Sequence, residues 1–155
     1  MAVVVDPPLF ISLFKESDPK HERFVRIKDW VVNGPAKFVY GGTTYKSELA
    51  KVGSVLAVLK VLEQKGKIHK LSDVSVDLDE FDVKNIEPKA DFDDPHLVAI
   101  IRVSGVRIVC VDDPRSHKYL KSAKFYQSSK SRPKLFTNEK NINLLNKRAL
   151  CGSCY

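Results

Sequence analysis

The chain has 155 residues, 43% of them hydrophobic and 29% charged. That length suits one domain of about 100–200 residues, and the composition excludes a disordered chain and a membrane bundle. The formal net charge of +7 conceals a division, because residues 1–113 carry 16 bases and 18 acids whereas residues 114–155 carry 10 bases and one acid, Glu139. Basicity is therefore a property of the C-terminal segment.

In chain order, Ala2 to Val5 is a β-branched run that ends at Asp6, as expected of a strand buried on both faces. The opening residues lack a basic n-region and are broken by Asp6-Pro7-Pro8, so no signal peptide is expected. A helix is predicted over His21 to Val32 and a weaker strand over Lys37 to Tyr40. Gly41-Gly42-Thr43-Thr44 lacks the Walker lysine spacing of a phosphate cradle and is predicted to be a turn and cap. It leads into one helix from Thr44 to Gln64, with Leu49, Val52, Leu56 and Leu59 on one stripe.

The stretch Asp73 to Asp94 holds nine acids and two lysines and is predicted to be a solvated connection with room for one short helix. Pro95 to Ser104 is predicted helical, closed by Gly105 at C′. Val106 to Val111 repeats the opening pattern as a strand that ends at Asp112-Asp113. Ser128 to Arg132 is the candidate mobile loop, Lys134 to Thr137 a further strand, and Asn138 to Lys147 a last helix. The longest apolar runs, such as Leu97 to Ile101, fall far short of the ~18 residues of a transmembrane helix. Strands alternating with helices predict an α/β fold, a mainly parallel sheet with helices on both faces. Residues 1–137 are expected to form one domain, with 138–155 as a C-terminal helix and tail packed on it.

Asp6-Pro7, Asp94-Pro95 and Asp113-Pro114 each place a carboxylate before a proline able to open a helix. The simplest role for such an acid is an N-cap, worth about 1 kcal/mol. Taken together they suggest more. Ligands bind an open parallel sheet beyond the carboxyl ends of its strands, where Asp6 and the Asp112-Asp113 pair must sit. Asp94 heads the helix that leads into the second of these strands and so falls on the same rim, which Glu48, in the first turn of the helix from Thr44, can also reach. Four carboxylates converging there repel one another unless a cation neutralises them, and hard oxygen donors suit Mg²⁺ or Mn²⁺.

The order Val-Val-Val-Asp6, Tyr-Gly-Gly-Thr-Thr-Tyr-Lys-Ser-Glu48-Leu, Asp93-Asp94-Pro-His-Leu-Val-Ala and Ser-Gly-Val-Arg-Ile-Val-Cys-Val-Asp112-Asp113 resembles the PIN domain family of metal-dependent nucleases, over residues 2–137. The resemblance implies a three-layer α/β/α sandwich and a ring of acids that holds one or two Mg²⁺ or Mn²⁺ ions for RNA cleavage. Position by position, the ring is Asp6, Glu48, Asp94 and Asp113, with Asp93 and Asp112 as alternates or outer-shell helpers. Many small members of the family are toxins held inactive by an antitoxin. One departure is Pro8, where the family usually has a small polar residue to orient the first acid. Groups of that kind change metal affinity or activity by about 10–100-fold.

After the last acid, Arg115, Lys118, Lys121, Lys124, Lys130, Arg132 and Lys134 are interleaved with Tyr119, Phe125 and Tyr126. Lysines 118, 121 and 124 recur every three residues and would share one helical face. A face so poor in acids offers a field for phosphates, with Tyr119 or Tyr126 as a platform for an unpaired base. The function expected is a metal-dependent endoribonuclease, with RNA, an antitoxin or other regulatory protein, and a second copy of the chain in a homodimer as expected partners, and no membrane. The alternatives are a module of the same fold that binds RNA without cleaving it, and a domain that binds a protein through Asp73 to Asp94.

Cys110, inside an apolar strand, is expected to be a small core residue. Cys151-Gly-Ser-Cys154 has the spacing of half a zinc site but lacks the other half. Three cysteines, an odd number in a chain of this size, favour a reducing, cytoplasmic setting. His96 and His117 have no Ser or Cys spaced for a triad and are expected to be structural or surface residues.

Overall fold

The two apolar, β-branched runs pair at the centre of one sheet, whose edge strand Ile68–Lys70 was not predicted from the sequence. In the computed structural model, which describes residues 1–145, β1 (Ala2–Val5), β2 (Lys37–Tyr40), β3 (Ile68–Lys70), β4 (Ile108–Cys110) and β5 (Lys134–Phe136) pair in the order β3-β2-β1-β4-β5. Every pairing is parallel, with Val3 opposite Phe38, Val5 opposite Cys110 and Ile108 opposite Lys134. β1 lies at the centre and is buried along its whole length, as a strand covered on both faces must be. The chain runs outward from β1 through β2 to β3, then returns to place β4 and β5 on the other side of β1, so the strand order reverses between β1 and β4.

The helices are α1 (Leu9–Phe14), α2 (His21–Val32), α3 (Thr43–Ala50), α4 (Val55–Gln64), α5 (Asp73–Ile86), α6 (Pro95–Ser104) and α7 (Pro114–Leu120), with 3₁₀ turns at Ala123–Phe125, Ser129–Ser131 and Glu139–Leu145. α1 packs on α2, and α5 packs on α6 with α3 against both, which gives the three-layer α/β/α sandwich. The layers are joined through aromatic side chains such as Phe10, which meets Phe38 edge-on with ring centroids 5.3 Å apart. Among the described residues no helix is long and apolar enough to cross a membrane.

Several elements differ from the sequence expectation. The helix predicted over Thr44–Gln64 is two helices, because Gly53 adopts φ +62°, a left-handed conformation that interrupts the helical path. The break turns the predicted stripe, leaving Leu49 and Leu59 buried and Leu56 exposed. The acid-rich stretch is mostly α5, a 14-residue helix whose N-cap Ser72 accepts from the Ser75 N–H. Its inner face buries Val76, Glu80 and Val83, while Val74, Leu78 and Phe81 stay exposed on the outside. α7 ends at Leu120, so Lys121 is its C-cap and Lys124 belongs to the next 3₁₀ turn, and the three lysines do not share a helix. The predicted last helix is a 3₁₀ turn over Glu139–Leu145, anchored where the Asn141 side chain accepts from the N–H groups of Thr137 and Asn138. Lys147, Cys151 and Cys154 lie outside the described residues.

Candidate metal centre

Asp6 leaves β1 directly, and its N–H donates to the Cys110 carbonyl at 3.0 Å, which pins it between β1 and β4 where the strand order reverses. Such a reversal opens a crevice at the carboxyl ends of a parallel sheet. Tyr45 is fully buried in α3 and donates its hydroxyl to the Val5 carbonyl, docking α3, and with it Glu48, against the end of β1. Asp94 heads α6, and Asp113 heads α7 just beyond β4. These connections bring Asp6, Glu48, Asp93, Asp94, Asp112 and Asp113 to the wall of one cleft of about 1060 Å³.

The acids differ in what holds them. Asp113 is a helix cap, accepting from the Arg115 N–H at 2.9 Å, and its carboxylate also takes the Arg115 guanidinium at 2.7 Å, which holds its pKa below the usual carboxylate range. Asp112 is gripped by Lys20 at 2.5 Å and Arg23 at 2.6 Å, so that despite burial its pKa also lies low. Asp94 occupies the N-cap position of α6 without making the side-chain capping bond, and Asp6 is no cap at all, because α1 begins at Leu9 behind Pro8. Among the described residues no N–H or O–H donates to the Asp6 carboxylate. Burial, then Asp94, push the Asp6 carboxyl up to about 7, with Glu48 and Asp113 adding to the rise and His96 opposing it. The Asp94 carboxyl is raised by burial against the pull of His96, with Glu48, Asp93 and Asp113 contributing.

His96 is the residue that sequence reasoning undervalued. It is 1% exposed, with Nε2 3.3 Å from Glu48 Oε2, and neither ring nitrogen makes a well-formed hydrogen bond. Burial works against its charge, but Glu48 and Asp94 outweigh burial and raise its pKa, while His96 in turn holds Glu48 low. Its only signal in the sequence is a lone polar residue in the apolar first turns of α6. Lys20 and Arg23 were equally invisible, since they reach Asp112 from about 90 positions away. His117 also lines the cleft, its pKa lowered by burial and then by Lys121.

Of the basic residues singled out in the sequence, only Arg115 lines the cleft. Lys118 pairs with Asp91 at 3.0 Å, and Lys124 with Glu87 at 3.0 Å. Lys121, Arg132 and Lys134 are exposed. Tyr119 is buried, stacked on Phe92 with its hydroxyl donating to Asp91, whereas Tyr126 is partly exposed. The Gly41–Thr44 turn leaves no room for an outside phosphate. The N–H groups of Gly42 and Thr43 already donate to Asp73 at 3.0 Å and Asp77 at 2.8 Å, so α5 supplies the anions for the N-terminus of α3.

In comparisons with known proteins, no family model matches the chain, and neither a curated protein nor a solved structure matches it.

The donor set can be tested against the cation expected from the sequence. Among the described residues no three His, Cys, Asp or Glu side chains stand as a ready-made ligand group. The oxygens are hard, and among the described residues Asp6 and Asp94 lack any ion-pair partner, while Asp94 raises the Asp6 pKa and Glu48 and Asp113 raise both. This chemistry fits a cation that keeps several waters and touches few carboxylates directly, the habit of Mg²⁺, and does not fit a closed protein cage.

Proposed function

We propose that the chain is a PIN-like, metal-dependent ribonuclease, with Mg²⁺ or Mn²⁺ held by Asp6, Glu48 and Asp94, directly or through water, and with Asp113 at the edge of the site. The observation that carries this reading is the gathering of Asp6, Glu48 and Asp94 on one cleft at the point of strand reversal, where burial and three neighbouring acids, opposed in part by His96, push the Asp6 carboxyl up to about 7. A bound divalent cation there supplies an activated water and offsets the charge that develops on a phosphate. The chain's own residues prepare the place. Tyr45 fixes the end of β1 under α3, His96 offsets part of the charge from beneath, and Lys20 and Arg23 take Asp112 out of the repulsion.

The test is Asp94→Asn assayed for Mn²⁺-dependent cleavage of an RNA oligonucleotide. The side chain makes no capping bond and Asn serves that position as well as Asp, so the fold is expected to survive while cleavage is lost. A variant that cleaves at the wild-type rate removes Asp94 from the site. A second reading, the same fold without cleavage, is favoured by the Arg115 clamp on Asp113 and by Pro8. Mn²⁺-supplemented wild type that leaves the RNA intact selects it.

A further inference from the structure

Four of the cations left free by the acid-rich stretch lie on the rim opposite the acid cleft. Arg107 immediately precedes β4 and Lys134 opens β5; the two meet across the ladder, the Lys134 N–H donating to the Arg107 carbonyl at 2.7 Å. Lys130 lies in the 3₁₀ turn just before β5, and Arg132 caps it. Among the described residues none of these four side chains enters an ion pair or a hydrogen bond. Two adjoining hollows, of about 640 and 240 Å³, are both lined by Arg107 and Lys130. The smaller adds Arg132 and Lys134, the larger Tyr126. Arg102 also lines the larger hollow but is committed to Asp79 at 3.2 Å and Asp82 at 2.8 Å. The Tyr126 ring is held edge-on to Phe125, centroids 6.3 Å apart, and its hydroxyl donates to the Leu120 carbonyl at 2.8 Å. Its polar tip is thus satisfied and its ring fixed at the wall of a cationic groove.

We propose that this groove binds the phosphate backbone of single-stranded RNA, with one unpaired base against Tyr126. Four unpaired cations in a row suit a polyanion. The aromatic beside them separates single-stranded nucleic acid from an acidic peptide or a duplex, because a base with an open face stacks on such a ring. The choice of RNA rests on the ribonuclease reading of the acid cleft; the groove itself does not. From Arg107 to Val111 is four strand steps of ~3.3 Å, so about 13 Å separates the two rims. A strand seated here therefore reaches the cleft only by passing around the sheet, and its binding needs no divalent cation.

The experiment is fluorescence titration of labelled oligouridylate in EDTA at several salt concentrations. It compares the wild type, the triple variant Arg107→Gln/Lys130→Gln/Arg132→Gln, Tyr126→Leu, and Lys60→Gln as an exposed lysine elsewhere. Each phosphate contact contributes a salt slope of ~0.7, about five-fold in affinity at 0.1 M salt. The triple variant is expected to lose ~100-fold and to flatten the slope by about 2. Tyr126→Leu is expected to lose at least about five-fold with the slope unchanged, and Lys60→Gln nothing. Should the triple variant melt early, Lys130→Gln alone, at an exposed position, carries the expectation of about five-fold. Equal affinities and slopes in wild type and triple variant overturn the proposal, as does a wild type that does not bind oligouridylate. A labelled polyglutamate that outcompetes oligouridylate, and whose binding disappears in the triple variant, overturns it in favour of an acidic protein partner. Because every titration is in EDTA, these outcomes are independent of whether Asp94→Asn abolishes cleavage.

Discussion

Asp6 shows how one residue's surroundings set a cost that function can use. An aspartate carboxyl loses its proton near 3.8 in the unfolded chain and near 7 in the fold, so between those values the folded state holds the extra proton. Stability from this group is therefore greatest below about pH 4, falls as pH rises toward 7 and is level above it. The full shift corresponds to at most ~4 kcal/mol, and water in the cleft makes the realised figure smaller. Asp6→Asn is expected to stabilise the metal-free protein by about 2 kcal/mol at pH 8 and by almost nothing at pH 4. Urea denaturation at the two pH values measures this. Equal gains at both would mean that the Asp6 carboxyl titrates normally and that the repulsion in the cleft is already neutralised. The same substitution removes a proposed cation ligand, so the more stable variant is expected to be the inactive one.

Among the elements, α5 decides how the charges of the chain are distributed. Its acids at 73, 77 and 80 recur at helical spacing and face α3, taking the N–H groups of Gly42 and Thr43, the Lys46 ammonium and the Thr44 hydroxyl. Its acids at 79 and 82 take Arg102. The closeness of this contact is set at Gly42, which has φ +88° and where a Cβ would lie 2.6 Å from Val76 Cγ1. Gly42→Ala is therefore expected to cost about 2–3 kcal/mol through strain and the forced separation of α3 from α5. A loss below ~0.5 kcal/mol on urea unfolding would show that the two helices part freely. The sequence made β1 and β4 legible because β-branched runs ending at acids carry their own signal, and Asp6, Asp112 and Asp113 were legible because they follow those runs; β3, a short Ile-His-Lys segment at the sheet edge, carries no such signal and was not predicted. α5 was not legible, because a run of acids looks solvated until its partners are known, and those partners lie as far as 36 positions away. The same blindness made Lys118 and Lys124 look free when Asp91 and Glu87 had already claimed them.

For the molecule as a whole, the charges sort into a simple arrangement. Part of the acidic stretch and part of the basic segment neutralise one another, through Arg115 with Asp93, Lys118 with Asp91 and Lys124 with Glu87, while Arg102 of α6 takes Asp79 and Asp82 of α5. What remains is an acid excess at the carboxyl ends of β1 and β4 and a base excess at the amino ends of β4 and β5. Between them lies a sheet whose central residues Val3, Val4 and Val109 are fully buried. The rims stand about 13 Å apart, more than the ~10 Å over which exposed charges interact at 0.1 M salt, and they share no side chain. Cation binding at one should therefore be indifferent to charge removal at the other. A cation that binds only the folded state stabilises it by RT ln(1 + [L]/Kd), ~2.7 kcal/mol at a hundred-fold excess over Kd. Mn²⁺ is expected to stabilise the wild type and the Arg107→Gln/Lys130→Gln/Arg132→Gln variant by the same amount, within the ~0.5 kcal/mol typical of independent sites. Urea unfolding of both proteins with Mn²⁺ and with EDTA closes this cycle. A Mn²⁺ effect that differs between them by more than that would show the rims to be coupled through the sheet, and a single strand of RNA would then be expected to sense the cation from either end.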